Sequence, residues 1–438
     1  MTDPKFFINE IASGLDAPSD LIFIDGDILI SQKFNGDIKL FQNLFGLKKY
    51  PIISLDSSTY GDNGGLSGLA TTTVGNTTYV FAFNGENSEK TTNSRGIDSK
   101  FNRIYRYVWN SSGLELDNST IVFEVPANQY FINNGGKMAT DSNNNLYITL
   151  GDMNRNGLEQ NQPNSGYDNI FIENYKKSGV IIRITPQGNP NVYNPFPDND
   201  FEYYFAFGIR NSLGLAFDPV TKYLWDTEQG PDSNDEINLV KPGFNSGWKV
   251  IQGDSSDKCC FDNITLPQDR NQLYDIEGGF YDDPKLTFRN STQLTSMVFF
   301  NSTLLGKEYL NTLFVGDMNG NIYNFGLSKN REDIINFDNN ITKNMFATGF
   351  GPISDLSVGN DGLLYVLTFS NNTNSPYEIN SGQLFSISIV PNKLDIESEF
   401  VSYDQIGLIT TAIVIIVILS SLRFKNIIGG IRRMINHK

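Results

Sequence analysis

Short apolar runs of four to seven residues recur along the first 390 positions, separated by clusters of Gly, Asn, Asp and Pro, with almost no long helical periodicity between them. This pattern predicts an all-β chain of short strands. Leu21-Ile22-Phe23-Ile24 leads through Asp25-Gly26 into Ile28-Leu29-Ile30-Ser31, and Asn35-Gly36 precedes Ile38-Lys39-Leu40-Phe41. Asp-Gly and Asn-Gly between apolar runs supply the positive φ that tight hairpins need. The same layout returns over 138–149 and again over 353–387, where Asn360-Asp361-Gly362 sits between two apolar runs. Degenerate repetition of one hairpin unit predicts a β-propeller.

The pattern changes beyond residue 392. Residues 393–405 form an acidic, polar spacer, and 406–422 (IGLITTAIVIIVILSSL) are uncharged and largely apolar. That run is at the short end of what spans a bilayer, so a single transmembrane helix is expected. The tail 423–438 carries Arg423, Lys425, Arg432, Arg433 and Lys438 and no acid, which puts it in the cytoplasm and the globular part, 1–392, outside the cell membrane. Eight Asn-x-Ser/Thr sequons between Asn76 and Asn371 permit glycosylation there. The first residues, MTDPKFFINE, lack a basic stretch followed by an apolar one, so either the start is truncated or misassigned or export uses another route.

Composition narrows the chemistry. The formal charge is −16 over 438 residues, against the cationic balance that nucleic-acid binding needs. The single histidine is His437, in the tail, so no imidazole serves the globular part. Cys259 and Cys260 are adjacent: a reduced structural pair and a vicinal disulfide both remain open, and a metal site lacks further Cys or His ligands.

Residues 205–248 concentrate unusual polar residues in a strand, turn, strand, polar loop, strand order, where meander folds place their sites. Gly208-Ile209-Arg210-Asn211, Glu228-Gln229-Gly230-Pro231, Asp235-Glu236-Ile237-Asn238 and Gly247-Trp248 follow one another there. This ordered set resembles the soluble quinoprotein glucose and sorbosone dehydrogenase family, which includes the aldose sugar dehydrogenases. Gly64 to Ala70, Gly151-Asp152, Gly179 to Ile184 with Asn194-Pro195-Phe196, and Leu313 to Asp317 extend the resemblance over nearly all of 10–390.

The resemblance implies a six-bladed β-propeller of roughly 65 residues per blade, with several long loops. It implies oxidation of aldose sugars at the anomeric carbon, with pyrroloquinoline quinone (PQQ) and calcium. The carbonyls of Gly230 and Pro231 would then hold the active-site calcium, and Asp235 and Glu236 could belong to a second, structural one. Arg210 and Asn211 would face the quinone. The family's base is a histidine, and Asn133 stands in its place in Asn133-Asn134-Gly135-Gly136-Lys137. An amide does not accept a proton at neutral pH but does hydrogen-bond a hydroxyl; a carboxylate such as Asp152 or Asp62 is the remaining candidate base. A later Arg-x-Arg-Asp segment of the family corresponds to Pro352-Ile353-Ser354-Asp355, without either arginine. Two functions follow: a membrane-anchored sugar dehydrogenase with a non-histidine base, or a calcium-containing propeller that binds a sugar, a glycan or a protein partner without catalysis.

Overall fold

The hairpin signals are realised as read. Asp25 and Gly26 take φ of 50° and 88° and join Pro18–Ile24 to Asp27–Gln32 in antiparallel register. The computed structural model describes residues 5–57, 64–92, 98–128, 130–154, 161, 177–196, 201–256, 258–261, 264–290, 292–335, 337 and 341–389. The expected span at 406–422, its flanks and Asp62 lie outside the described residues. No helix among the described residues is long and apolar enough to cross a membrane.

The result is an all-β, propeller-like fold of successive antiparallel meanders. Sheet 1 holds Pro18–Ile24, Asp27–Gln32 and Asp37–Gln42, with Gly46–Leu47 and Ile53–Ser54 both on the third strand. Sheet 2 holds Gly65–Val74, Thr77–Thr92, Asp98–Asn110 and Glu115–Pro126. Sheet 3 runs Met138–Thr140, Leu146–Leu150, Val180–Ile184 and Tyr204–Phe207, then adds Phe244–Asn245 and Phe280–Tyr281 in parallel. Sheet 4 is Ser212–Phe217, Leu224–Glu228, Asp235–Val240 and Leu286–Phe288. Sheet 5 is Leu294–Phe300, Thr312–Asp317 and Ile322–Leu327, the last pairing both Ile334–Ile335 and Met345–Ala347. Sheet 6 is Ile353–Val358, Leu364–Thr368 and Gly382–Ile389, completed on its outer side by the N-terminal strand Phe6–Leu15. Five of these sheets have four or five strands and sheet 3 has six. Cys259 and Cys260 lie in a separate hairpin, Lys258–Phe261 with Ile264–Pro267.

The apolar core is divided among the sheet interfaces. Leu29 and Leu40 of sheet 1 pack on Leu69 and Val80 of sheet 2; Phe81 and Phe83 of sheet 2 pack on Ile148 and Ile182 of sheet 3. Tyr147 and Phe205 meet Leu215 and Leu224 of sheet 4, and Trp225 of sheet 4 meets Phe299 and Leu313 of sheet 5. Phe314 and Ile322 meet Ile353 and Val366 of sheet 6. Leu367 and Leu384 of sheet 6 return to Leu21 and Ile28 of sheet 1. Each sheet therefore packs on the next and the last on the first. Placing the N-terminal strand on sheet 6 ties the chain's two ends of this unit together and covers an edge that would otherwise be open.

The innermost strands share one irregularity. The register slips between Pro18 and Asp20, Leu66 and Gly68, Ser212 and Gly214, Leu294 and Ser296, and Ile353 and Asp355. A bulge bends its strand and re-aims the extra side chain. The extra residues are Ser19, Ser67, Leu213, Thr295 and Ser354, and all five line one cavity, joined by Lys137 at the head of sheet 3.

Lys137 fixes the floor of that cavity. Its Nζ donates to Asp20 Oδ1 of sheet 1 at 2.7 Å and to Asp355 Oδ1 of sheet 6 at 2.5 Å. Asp20 Oδ2 in turn accepts from the Leu69 amide of sheet 2 at 2.8 Å. Burial alone would lower the ammonium's pKa, but the two carboxylates outweigh it and raise it. Burial lifts the Asp355 carboxyl to about 8 in spite of Lys137. A carboxyl raised in this way favours the folded state below its unfolded value and loses that contribution as pH rises through about 8. Lys137→Met leaves two buried carboxyls without their cation. Urea unfolding of this variant is expected to show a loss of about 3–5 kcal/mol at pH 8, and a smaller loss at pH 5, where Asp355 keeps its proton.

Candidate functional site

The cavity above this floor has a volume of about 250 Å³, near the lower bound for small-ligand sites. Phe131, Phe369 and Tyr377 form an aromatic part of its wall. Tyr377 is held edge-on by Phe34 and Phe369, with ring centroids 5.5 and 5.2 Å away. Asn133, Asn211 and Gln229 supply amides.

Asn133 sits at the tip of a strained turn, with φ of 49°, and the following glycines Gly135 and Gly136 also take positive φ. A side chain at Gly135 would strike the Thr149 carbonyl, so the turn lies tight against sheet 3. Asn133 Nδ2 donates to Asp152 Oδ1 at 2.8 Å. The same oxygen accepts from the Asn154 amide at 2.9 Å, and Oδ2 accepts from Trp248 Nε1 at 2.7 Å. Asp152 is buried, and its oxygens are already engaged by donors. It positions Asn133 and reaches the cavity only through that amide.

Arg210 and Asn211 part company. Asn211 lines the cavity, accepting from the Gly135 amide at 3.3 Å and donating to Gln229 Oε1 at 3.1 Å. The Arg210 guanidinium turns to the carbonyls of Gln229 and Gly230, at 2.8 and 3.0 Å, and lies over the Trp248 ring. Burial lowers its pKa, opposed by Asp152 and Glu228. Arg210, Gly230, Pro231 and Glu236 border a second, much smaller hollow of about 10 Å³.

A model of the glucose/sorbosone dehydrogenase family matches residues 15–375. The chain belongs to that family. It is 26% identical over 260 residues to the aldose sugar dehydrogenase YliI of Escherichia coli, covering 58% of this chain and 59% of that protein. It is 26% identical over 258 residues to quinoprotein glucose dehydrogenase B of Acinetobacter calcoaceticus, covering 56% and 53%. The alignments thus span little more than half of these relatives. The PQQ-bound structure of the aldose sugar dehydrogenase of Streptomyces coelicolor superposes with a TM-score of 0.63 at 21% identity, covering 89% of this chain and 99% of that one, which establishes the shared fold.

Set against the family's expected cation site, three of the four expected ligands in this glucose/sorbosone dehydrogenase family member, Gly230 O, Asp235 and Glu236, already accept hydrogen bonds. Gly230 O accepts from Arg210, which sets a guanidinium beside the oxygen expected to hold calcium. Asp235 and Glu236 are adjacent strand residues and face opposite sides. Asp235 accepts from the amides of Gly230, Thr292 and Gln293; Glu236 accepts from the Gly253 amide, Asn238 and Ser246. Among the described residues no three His, Cys, Asp or Glu side chains converge on one metal position. Glu236 instead joins Glu228 and Asp226 in a buried acidic group. Burial lifts Asp226 and Glu236 to about 7, and burial with repulsion from Glu236 and Asp226 raises Glu228.

Two features of the site went unread in the sequence. One is the bulge ring with Lys137. The other is Lys33, which lines the cavity at 9% exposure. Its Nζ makes no hydrogen bond or ion pair with any described residue, and burial lowers its pKa to about 8. Below that value the buried ammonium destabilises the fold, and the cost fades as pH rises toward 10.5. Lys33→Met is therefore expected to stabilise the protein by about 1–3 kcal/mol at pH 7, measured by denaturant unfolding, and by less at pH 10. An unchanged or lowered stability at pH 7 contradicts an uncompensated amine.

Proposed function

We propose that this chain is a membrane-anchored, extracytoplasmic glucose/sorbosone dehydrogenase-like protein that binds an aldose sugar in its axial cavity and oxidises it slowly, with PQQ as oxidant. Sheet 3 counts in this reading as one blade of six, its two extra strands being an extension. The observation that carries the reading is the amide-lined cavity with Asn133 locked onto Asp152. A sugar hydroxyl meets hydrogen-bonding partners in Asn133 and Asn211, and a pyranose face meets the aromatic wall.

The cavity fits PQQ in part. Phe131, Phe369 and Tyr377 suit a planar ring, and Lys33 is a cation free to meet a carboxylate, whereas Pro352 and Ser354 replace the two arginines. When bound, the quinone supplies the hydride acceptor. The chain's own residues bind and orient the sugar but offer no base at the position of Asn133, which accounts for slow turnover. No step is assigned to calcium: of the residues expected to hold it, Gly230 O, Asp235 and Glu236 already accept hydrogen bonds within the fold. The apolar run 406–422 and the basic tail support the anchor and its orientation.

A second reading, a propeller that binds sugar or glycan without catalysis, draws on the same Asn133. Asn133→His separates the two. Its imidazole would donate to Asp152 and accept a hydroxyl proton. With PQQ and a dye acceptor, kcat/KM for an aldose is expected to rise about 10²-fold or more. A histidine variant that binds sugar yet turns over no faster favours the non-catalytic reading. Arg210→Ala is expected to loosen the 229–230 turn and weaken PQQ binding measured by calorimetry.

A further inference from the structure

The bulge ring places hydroxyls at the axis and leaves three of them idle. Ser67, Thr295 and Ser354 line the cavity, and their hydroxyl oxygens are buried without a hydrogen-bond partner, so a turn about χ1 is what presents each to an occupant. Buried polar groups are normally satisfied, so three orphans in one ring call for an occupant. Their chain origins differ: sheets 2, 5 and 6 each contribute one, at the same bulge. Lys33 enters the same cavity from the end of the second strand of sheet 1. Its backbone is pinned there, with its amide donating to the Ala17 carbonyl at 3.1 Å and its carbonyl accepting from the Leu66 amide at 2.9 Å.

The other charges of the wall are already spoken for. Lys137 is held by Asp20 and Asp355, and the remaining titratable group of the wall is the Tyr377 phenol, raised by burial. No carboxylate contributes to the shift of Lys33, which has burial as its sole cause. The cavity thus combines one uncompensated ammonium with three unpaired hydroxyl donors. A neutral sugar satisfies hydroxyls but leaves the ammonium unpaired. A carboxylate accepts from both, and charge-assisted bonds of that kind are the strong ones.

We propose that Lys33, with the hydroxyls of Ser67, Thr295 and Ser354, forms a carboxylate-binding subsite of the axial cavity. The carboxylate belongs either to the quinone cofactor or to an acidic sugar; the chemistry at Lys33 is the same. This rests on the reading of the cavity as the ligand site. It assigns to Lys33 the anion-holding role for which the segment 352–355 offers no arginine.

Calorimetric titration of the full chain, in detergent, tests it with three probes: PQQ, D-glucuronate and its neutral counterpart D-glucose. At pH 7 glucuronate is expected to bind at least tenfold tighter than glucose, or PQQ to bind with an affinity that Lys33→Met lowers at least tenfold. The favoured affinity falls as pH rises beyond about 8, and Lys33→Arg carries it to higher pH. Ser354→Ala weakens the same ligand severalfold without removing its pH dependence. Lys33-dependent binding of PQQ alone identifies the cofactor as the source of the carboxylate. Lys33-dependent binding of glucuronate, with no PQQ binding, keeps the subsite and ends the quinoprotein reading. PQQ that binds equally to wild type and Lys33→Met, with no preference for glucuronate over glucose, overturns the subsite and leaves the quinoprotein reading standing. Melting curves of both Lys33 variants establish that each is folded before titration.

Discussion

Three buried side chains at the axis, the Lys137 ammonium between the Asp20 and Asp355 carboxyls, hold together what the rest of the molecule builds around. The ammonium reaches sheets 1 and 6 from the head of sheet 3, and Asp20 carries the link to sheet 2. Six apolar interfaces push the sheets together from outside, but apolar packing is non-directional. The buried triad sets where the innermost strands stand relative to one another. A buried ion pair contributes little net stability compared with an apolar core, and its removal on one side is costly. Its effect here is to make the axis polar, and hence to give the cavity a polar floor.

The bulges complete that design. One extra residue near the start of five innermost strands turns a side chain toward the axis that a regular pleat would send into an interface. Hydroxyls arrive there without partners, and Lys33 arrives without a counter-ion. A fold that keeps such groups sacrifices stability at the place where it binds something. At the wall, Asn133 is held by Asp152 and Asp152 by Trp248, so the cavity meets an amide there.

Much of the fold was legible from the chain. Asp25-Gly26 and Asp361-Gly362 marked hairpins because few residues other than glycine accept the φ those turns demand. The repeated layout gave the meanders, and residues 205–248 gave the family. Asn133 lines the cavity, and Asp152, read from the sequence as a candidate base, instead accepts a hydrogen bond from it. Arg210 was not legible: side-chain direction depends on the Gly230 carbonyl and Trp248, brought near by the fold. The pairing of Asp235 with Glu236 as one site overlooked the alternation of faces along a strand. Lys33 was not legible, since nothing in the sequence around it reveals burial. The bulge ring did leave a trace, in the triplets Ser19-Asp20-Leu21, Ser67-Gly68-Leu69, Leu213-Gly214-Leu215 and Ser354-Asp355-Leu356. Asp or Gly followed by leucine, just after the bulged residue at the head of four innermost strands, is a signal that strand periodicity alone passes over.

The claim on which everything functional depends is that the ligand sits in the axial cavity. A crystal structure of the protein soaked with an aldose and PQQ tests it directly. The account predicts ligand density between the aromatic wall and the bulge ring, within hydrogen-bond distance of Asn133 and of the Ser354 hydroxyl. Ordered water alone in that cavity, with sugar or quinone bound at another face, would contradict it.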